Sequence, residues 1–268
     1  SFKGGFIMKK LYLVVLYKQK YSDSQTLHSF SEFYFGKNKN NFFVVWDNSP
    51  SSDTSGAEIG RFLHTENVEY IHTPENTALS KIYNTCLDKY SDFDFFLIFD
   101  QDSKIMRPDY DSYLEKTILE NPEINIFLPQ IYSQGKLYSP GKFWIFKGCH
   151  YKNLSVGIHK DKLYTAIMSG TCARIDFLKK HNIRFNENLS LYGIDTCFFS
   201  DVRKIDIKFY VLEERLAHDL SENHLIGEDL KNHTRLYLKG TLIMNNHSIL
   251  KTLIVYFYQL YLKLLGKI

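Results

Sequence analysis

The sequence predicts an α/β domain with a Rossmann-like, mostly parallel central sheet flanked by helices. Three observations carry that expectation. The 268 residues are 44% hydrophobic, which is material for one large core. Apolar runs rich in β-branched and aromatic residues recur at 11–17, 42–46, 68–72 and 93–99, as strands buried on both faces do. Helix-like segments separate most of these runs, and strands joined through helices pair in parallel.

Residues 11–17 form the first strand. Ser22-Asp23-Ser24 supplies a helix N-cap, and that helix runs toward Tyr34 and stops at Gly36. Residues 42–46 are the second strand, closed by the turn cluster Asp47-Asn48-Ser49-Pro50. Residues 51–60 are polar and read as loop. The third strand, 68–72, is followed by Pro74-Glu75-Asn76-Thr77, which opens a helix toward Tyr90. That helix carries Leu79, Ile82, Tyr83, Cys86 and Leu87 on one face. The fourth strand, 93–99, is the most apolar. A helix at 108–120 and a strand at 124–131 come next. Residues 132–159 break the alternation, with Gly135, Pro140, Gly141, Gly148 and Gly157 among aromatics, and read as hairpins or a mobile loop. Then come a strand-like stretch at 166–174, a helix at 175–181, a loop at 185–191, a helix at 193–204 and a strand at 208–212. From Leu230 onward the chain is helical and increasingly apolar.

Composition excludes several classes. Lys+Arg 33 against Asp+Glu 30 gives +3, far from the dense basic charge of a dedicated nucleic-acid binder. Cys86, Cys149, Cys172 and Cys197 are scattered without a CxxC pair, which speaks against structural zinc and for reduced thiols in a cytoplasmic protein. Residues 1–7, ahead of Met8, read as an appended leader outside the fold. The apolar stretch after Lys9-Lys10 gives way to Lys18 and Lys20, too soon for a secretory signal. No GxGxxG and no Walker A pattern occurs.

Chemistry-bearing residues gather at predicted strand ends. Asp100-Gln101-Asp102-Ser103 follows the fourth strand directly, and open α/β sheets bind ligands just outside such ends. Two carboxylates at i, i+2 on a turn can converge on a hard divalent cation beside a diphosphate. The same pattern also suits a plain Asp-rich turn, or a phosphohydrolase with Asp100 as nucleophile. Tyr17 and Asp47 end neighbouring strands and can share a rim, Asp47 accepting from a pyrimidine N3–H and Tyr17 stacking on the ring. An Asx-turn is the plainer role for Asp47. Asn76 and Lys81 bracket a helix start, a place for phosphate or simply a cap and a solvated Lys. Asp195 lies at a helix start in apolar surroundings, where partial burial favours a general base; it also suits the helix dipole. His218 follows a strand and can ligate a metal or stay an exposed loop residue.

In order, these pieces resemble the inverting glycosyltransferases of family 2 with the GT-A (nucleotide-diphospho-sugar transferase) fold, and more narrowly its bacterial rhamnosyltransferase-like branch. The matching stretches are 14–18 (Val-Val-Leu-Tyr-Lys), 44–49 (Val-Val-Trp-Asp-Asn-Ser) and 76–84 (Asn-Thr-Ala-Leu-Ser-Lys-Ile-Tyr-Asn). They continue with Phe99-Asp100-Gln101-Asp102-Ser103, Ser169-Gly170-Thr171, Gly193-Ile194-Asp195-Thr196 and Leu216-Ala217-His218. Together they span roughly residues 11–241. The resemblance implies that Tyr17 and Asp47 hold the base of a nucleotide-sugar, with Asn76, Lys81 and Gln101 also on the donor. It implies that Asp100 and Asp102 hold Mg²⁺ or Mn²⁺ at the diphosphate with His218 nearby. Ser169, Gly170 and Thr171 would line the donor–acceptor floor, and Asp195 would deprotonate the acceptor hydroxyl. Two positions depart from the pattern: Ile194 stands where many members have Glu, and Asp219-Leu220-Ser221-Glu222 follows His218 where some have Gly.

The implied activity is transfer of a sugar, rhamnose from dTDP-rhamnose first, to a hydroxyl of a bacterial surface polysaccharide such as capsule or O-antigen, or of a lipid-linked oligosaccharide. UDP-galactofuranose and UDP-hexose are the alternative donors, and a non-catalytic nucleotide-sugar-binding protein is the alternative class. The expected layout is a catalytic domain at 8–241 and an amphipathic helical tail at 242–268. That tail either lies on the inner face of the plasma membrane or packs on protein, on its own domain or in a homodimer. Aromatic residues make 16% of the chain, with 19 Tyr, 21 Phe and 2 Trp. They crowd the fourth strand, the irregular stretch after the fifth, and the tail, and only the first crowd is plainly core.

Overall fold

The computed structural model describes residues 7–133, 135–217, 227–245 and 248–268. Its centre is a mixed, largely parallel sheet. The parallel block is β3(Val68–His72), β2(Asn41–Asp47), β1(Lys10–Leu16) and β4(Phe95–Asp100), side by side in that order. Next to β4 lies β12(Cys172–Arg174), antiparallel both to β4 and to β6(Ile126–Ser133). Beyond β6 come β13(Lys208–Ala217), parallel to it, and β10(Gly157–Lys160), antiparallel to β13. β5(Lys104–Ile105) pairs with the end of β13, and β7(Lys136–Ser139) folds back on β6. A small second sheet holds β8(Gly141–Trp144), β9(Lys147–His150) and β11(Tyr164–Thr165). Among the described residues of the irregular 132–159 stretch, β7 folds on β6, β8 and β9 form a hairpin, and β10 pairs with the distant β13.

Alternation along β1 shows how the sheet is buried. Leu11 and Leu13 enter one core layer, while Tyr12, Val14 and Leu16 enter the other. Side chains alternate across a strand, so a continuous apolar run is what a sheet covered on both faces requires. One layer is covered by α3(Leu79–Lys89), α5(Ile175–Lys180) and α6(Ile194–Ile205), the other by α1(Gln25–Glu32), α2(Gly56–Leu63) and α4(Tyr110–Glu120). Tyr12 packs among Phe30, Phe35, Phe43 and Phe99 with ring centroids 5.3–6.3 Å apart, an aromatic contribution to the core beyond plain area burial.

Three sequence expectations need correcting. Residues 51–60 read as loop, yet Gly56–Leu63 form α2. Ser55 and Glu58 make a reciprocal capping box, and Ile59 and Leu63 are buried, so the capping signal outweighed the polar composition. α3 begins at Leu79 with Ala78 at its N-cap, later than Pro74; Asn76 sits in a left-handed turn at φ 53°. Of the strand-like 166–174, only Cys172–Arg174 pairs as expected, because the chain turns at Gly170. The helical end is two helices, α7(Gly227–Asn245) and α8(Ile249–Leu264), the second opened by Ser248, whose Oγ accepts from Lys251 N–H.

β13 carries a buried carboxyl on the way to the site. Glu214 is fully buried; its Oε1 accepts from Met106 N–H at 2.8 Å, and Oε2 has no partner. Burial pushes its pKa from 4.5 up to about 7, against the backbone donors of Met106 and Arg107. The unfolded chain therefore loses this proton first, and the folded state grows less stable as pH rises from 4.5 toward 7, levelling above. Glu214→Gln keeps an oxygen for Met106 and removes the titration. The variant should exceed the wild type in stability by roughly 3 kcal/mol at pH 8 and by little at pH 4. Denaturant melts of both proteins at the two pH values check this.

Candidate functional site

The C-terminal ends of β1, β2 and β4 meet at one rim, as parallel pairing in register demands: Leu16 lies opposite Asp47, and Val15 opposite Asp100. Side-chain bonds lock the rim. Tyr17 N–H donates to Gln101 Oε1 at 2.8 Å, and Lys18 N–H donates to Ser49 Oγ at 2.8 Å. Trp46 Nε1–H donates to Thr73 Oγ1, which donates to Asn48 Oδ1, while Asn48 Nδ2 donates to Thr77 O. The turn after β4 is held from α1: Ser24 Oγ and Thr26 Oγ1 donate to the carbonyls of Gln101 and Asp100, and Thr26 Oγ1 accepts from Ser103 N–H. These bonds fix where the turn places Asp100 and Asp102.

Asp100 and Asp195 line one cavity of about 460 Å³. Asp100 enters from the end of β4, Asp195 from the first turn of α6. Asp195 Oδ2 accepts from Met168 N–H at 3.1 Å. Tyr83 of α3 also lines the cavity; burial first, then the charges of Asp100 and of Asp195, raise its pKa well above the ordinary value. Both carboxylates thus act on one tyrosine. Further lining comes from Tyr138 of β7, from Lys142 and His150 of the small second sheet, and from Tyr237 of α7. Tyr237 OH donates to Phe146 O at 3.0 Å, tying α7 to the turn after β8.

Ser169, Gly170 and Thr171 are buried and line neither this cavity nor the crevice at Asp47, so they are not the exposed donor–acceptor floor that the resemblance implied. Ser169 Oγ accepts from Asp100 N–H at 3.0 Å and shares a 2.6 Å hydrogen bond with Ser103 Oγ, so it holds both ends of the acidic turn. Gly170 stands at φ 77°, and a Cβ there would come within 2.6 Å of Leu216 and of Pro129. Only glycine meets both the left-handed backbone and that close approach.

A second crevice, about 570 Å³, is lined by Lys18, Lys20, Asp47 and residues 49–54. Asp47 is buried; its Oδ1 accepts from Ser49 N–H at 2.9 Å and its Oδ2 from Tyr70 OH at 2.8 Å. Burial alone would raise its pKa, but hydrogen bonds from Ser49, Tyr70 and Ser52 outweigh it and hold the carboxyl below its ordinary value. Tyr17 is 39% exposed at the same rim, with Lys18 Nζ 5.1 Å from its ring centroid. Asn76 and Lys81 are exposed on the turn before α3 and in its first turn, and line neither cavity. His218 lies outside the described residues.

Among the described residues no group of three or more His, Cys, Asp or Glu gathers as a metal site. A pair of carboxylates on a turn is nonetheless the donor set that Mg²⁺ and Mn²⁺ use when substrate phosphates complete the shell. Asp100 and Asp102 are such a pair by donor chemistry; Asp100 lines the cavity with Asp195, whereas Gln101 and Asp102 line neither cavity.

No protein-family model and no curated protein matches the sequence. Solved structures do match in shape. S. aureus TarS 1-349 aligns with a TM-score of 0.56 at 18% identity, over 87% of this chain and 65% of that chain. The chain has a GT-A-type fold. The same TarS fragment in complex with UDP-GlcNAc gives 0.56 at 14% identity, over 92% of this chain and 69% of that one. GalNAc-T7 with UDP, GalNAc and Mn²⁺ gives 0.58 at 11%, over 87% of this chain and 48% of that one. The chain therefore spans less than two thirds of the first TarS fragment and about half of the GalNAc-T7 chain.

Several lining residues were not singled out as site residues from sequence. Tyr83 read as one more apolar position on a helix face. Lys142, His150 and Tyr237 carried no local motif, since strands and helices distant in sequence bring them together, whereas Tyr192 lies in the stretch around Asp195. The aromatic crowd after the fifth strand was the available signal, and Tyr138 and Phe143 from it do line the cavity.

Proposed function

We propose that the chain is a metal-assisted inverting glycosyltransferase that moves a sugar from a nucleotide-diphospho-sugar to a hydroxyl. The observation that carries this is the single cavity shared by Asp100, at a parallel strand end, and Asp195, at a helix start. The nucleoside sits along the rim of Tyr17 and Asp47, the diphosphate over the turn of Asp100 and Asp102, and the acceptor against Asp195 and the aromatic wall. Asp100 and Asp102 hold Mg²⁺ or Mn²⁺, which supplies charge neutralisation of the leaving diphosphate. Asp195 takes the proton of the acceptor hydroxyl, whose oxygen bonds to the anomeric carbon from the side opposite the diphosphate. The bond to the diphosphate breaks with its electron pair, and the configuration inverts. Gln101 clamps the nucleoside rim through Tyr17, and Ser169 holds Asp100 in place.

The donor in this reading is dTDP-rhamnose, with UDP-galactofuranose or UDP-hexose as the alternative. The acceptor is a growing surface polysaccharide or a lipid-linked oligosaccharide. Resemblance of the Asp-Gln-Asp-Ser turn supports the first donor; the UDP and UDP-GlcNAc held by the TarS fragment support a UDP-sugar. A thermal-shift panel of nucleotide-sugars with Mn²⁺ tests the proposal. A true donor at 100 times its Kd should stabilise the fold by about 2.7 kcal/mol. No stabilisation by any donor rejects the reading.

A further inference from the structure

α8 buries Val255 and Leu262 against Leu238 of α7, and Tyr258 stacks on Phe146 at 4.5 Å. Its other side is apolar as well. Ile249 is 83% exposed, Leu250 70%, Phe257 69% and Leu264 79%. With Leu253, Tyr256, Leu260 and Tyr261, also exposed, they fall within an arc of about 140° at roughly 100° per residue, facing away from the buried stripe. Charge is segregated in the same region. Residues 230–268 hold Lys231, Arg235, Lys239, Lys251, Lys263 and Lys267 and no Asp or Glu. The other 27 basic residues face 30 acidic ones, so the rest of the chain carries −3. Among the described residues no helix is long and apolar enough to cross a membrane.

We propose that α8 docks on an anionic lipid surface. A helix with an exposed apolar arc and only basic charges lies in the plane of a bilayer interface, and anionic headgroups complement its lysines. Tyr256 and Tyr261 present amphipathic rings on the same arc, as interfacial aromatics do. A second copy is the poorer occupant: two α8 helices face to face bring lysines together with no carboxylate in 230–268 to pair them. α7 carries both Leu238, under α8, and Tyr237, on the cavity wall, so docking sets the cavity beside the lipid surface.

Vesicle flotation of the full chain tests this without recourse to turnover. Vesicles of phosphatidylcholine with one third phosphatidylglycerol should carry the chain upward, and vesicles of phosphatidylcholine alone should leave most of it behind. Lys263→Gln with Lys267→Gln should lower partitioning by roughly 25-fold, about fivefold per lysine. Phe257→Glu with Leu264→Glu should abolish flotation while thermal melting stays unchanged, since both side chains are exposed. Absence of flotation on anionic vesicles overturns the proposal. So does equal flotation on both kinds of vesicle, or a wild-type dimer in size-exclusion light scattering that Phe257→Glu with Leu264→Glu makes monomeric while vesicles bind neither form.

Discussion

Asp195→Asn lowers sugar transfer by about 10²–10⁴-fold, the span a positioned general base contributes, and leaves donor binding largely unchanged. The substitution is nearly isosteric. An amide oxygen still accepts the Met168 N–H that Asp195 Oδ2 now accepts at 3.1 Å, so the start of α6 and the cavity wall keep their shape. What disappears is a group able to take the acceptor's proton. The loss should therefore fall on kcat. Single-turnover transfer with donor affinity measured in parallel makes the separation. Full activity with lowered thermal stability would mean that Asp195 serves only α6. Phosphate release from small phosphomonoesters, indifferent to Asp195, would instead favour hydrolysis at Asp100.

Asp102→Asn should abolish the response to divalent cation. Asp100 and Asp102 are the carboxylates of a turn tied to α1 and Ser169, and a cation completed by substrate phosphates depends on each one. Loss of an outer partner of a metal ligand already costs about 10–100-fold in metal affinity; loss of a ligand costs at least as much. Mn²⁺ titration of donor binding should shift by roughly 100-fold or more in the variant. A chelator should weaken donor binding to the wild type and change the variant little. An unshifted Mn²⁺ titration would remove Asp102 from the cation site.

The parallel half of the sheet was legible in sequence because its strands are buried on both faces, which leaves uninterrupted apolar runs such as 95–99. The acidic turn followed from the same strand, since its end was marked by the first two carboxylates after the run. α2 was hidden by its short length and polar flanks, although Ser55 and Glu58 encode its start. β12, three residues long, gave too little pattern to separate from the turn at Gly170, and its antiparallel insertion is a property of tertiary pairing. The cavity was half legible. Asp100 and Asp195 carry motif context, whereas Tyr138, His150 and Tyr237 come together only where β7, the small second sheet and α7 meet. Asn76 and Lys81 matched a motif, yet a helix start shifted to Leu79 leaves both exposed outside the two cavities.

The central claim is that one site, running from the acidic turn to Asp195, breaks the sugar–diphosphate bond with inversion. Anomeric proton NMR tests it directly, with the stabilising donor and Mn²⁺ and with water as acceptor, read before mutarotation. The first sugar formed should have the configuration opposite to the donor's, with nucleoside diphosphate released in equal amount. Retained configuration, or inorganic phosphate in place of nucleoside diphosphate, contradicts the account.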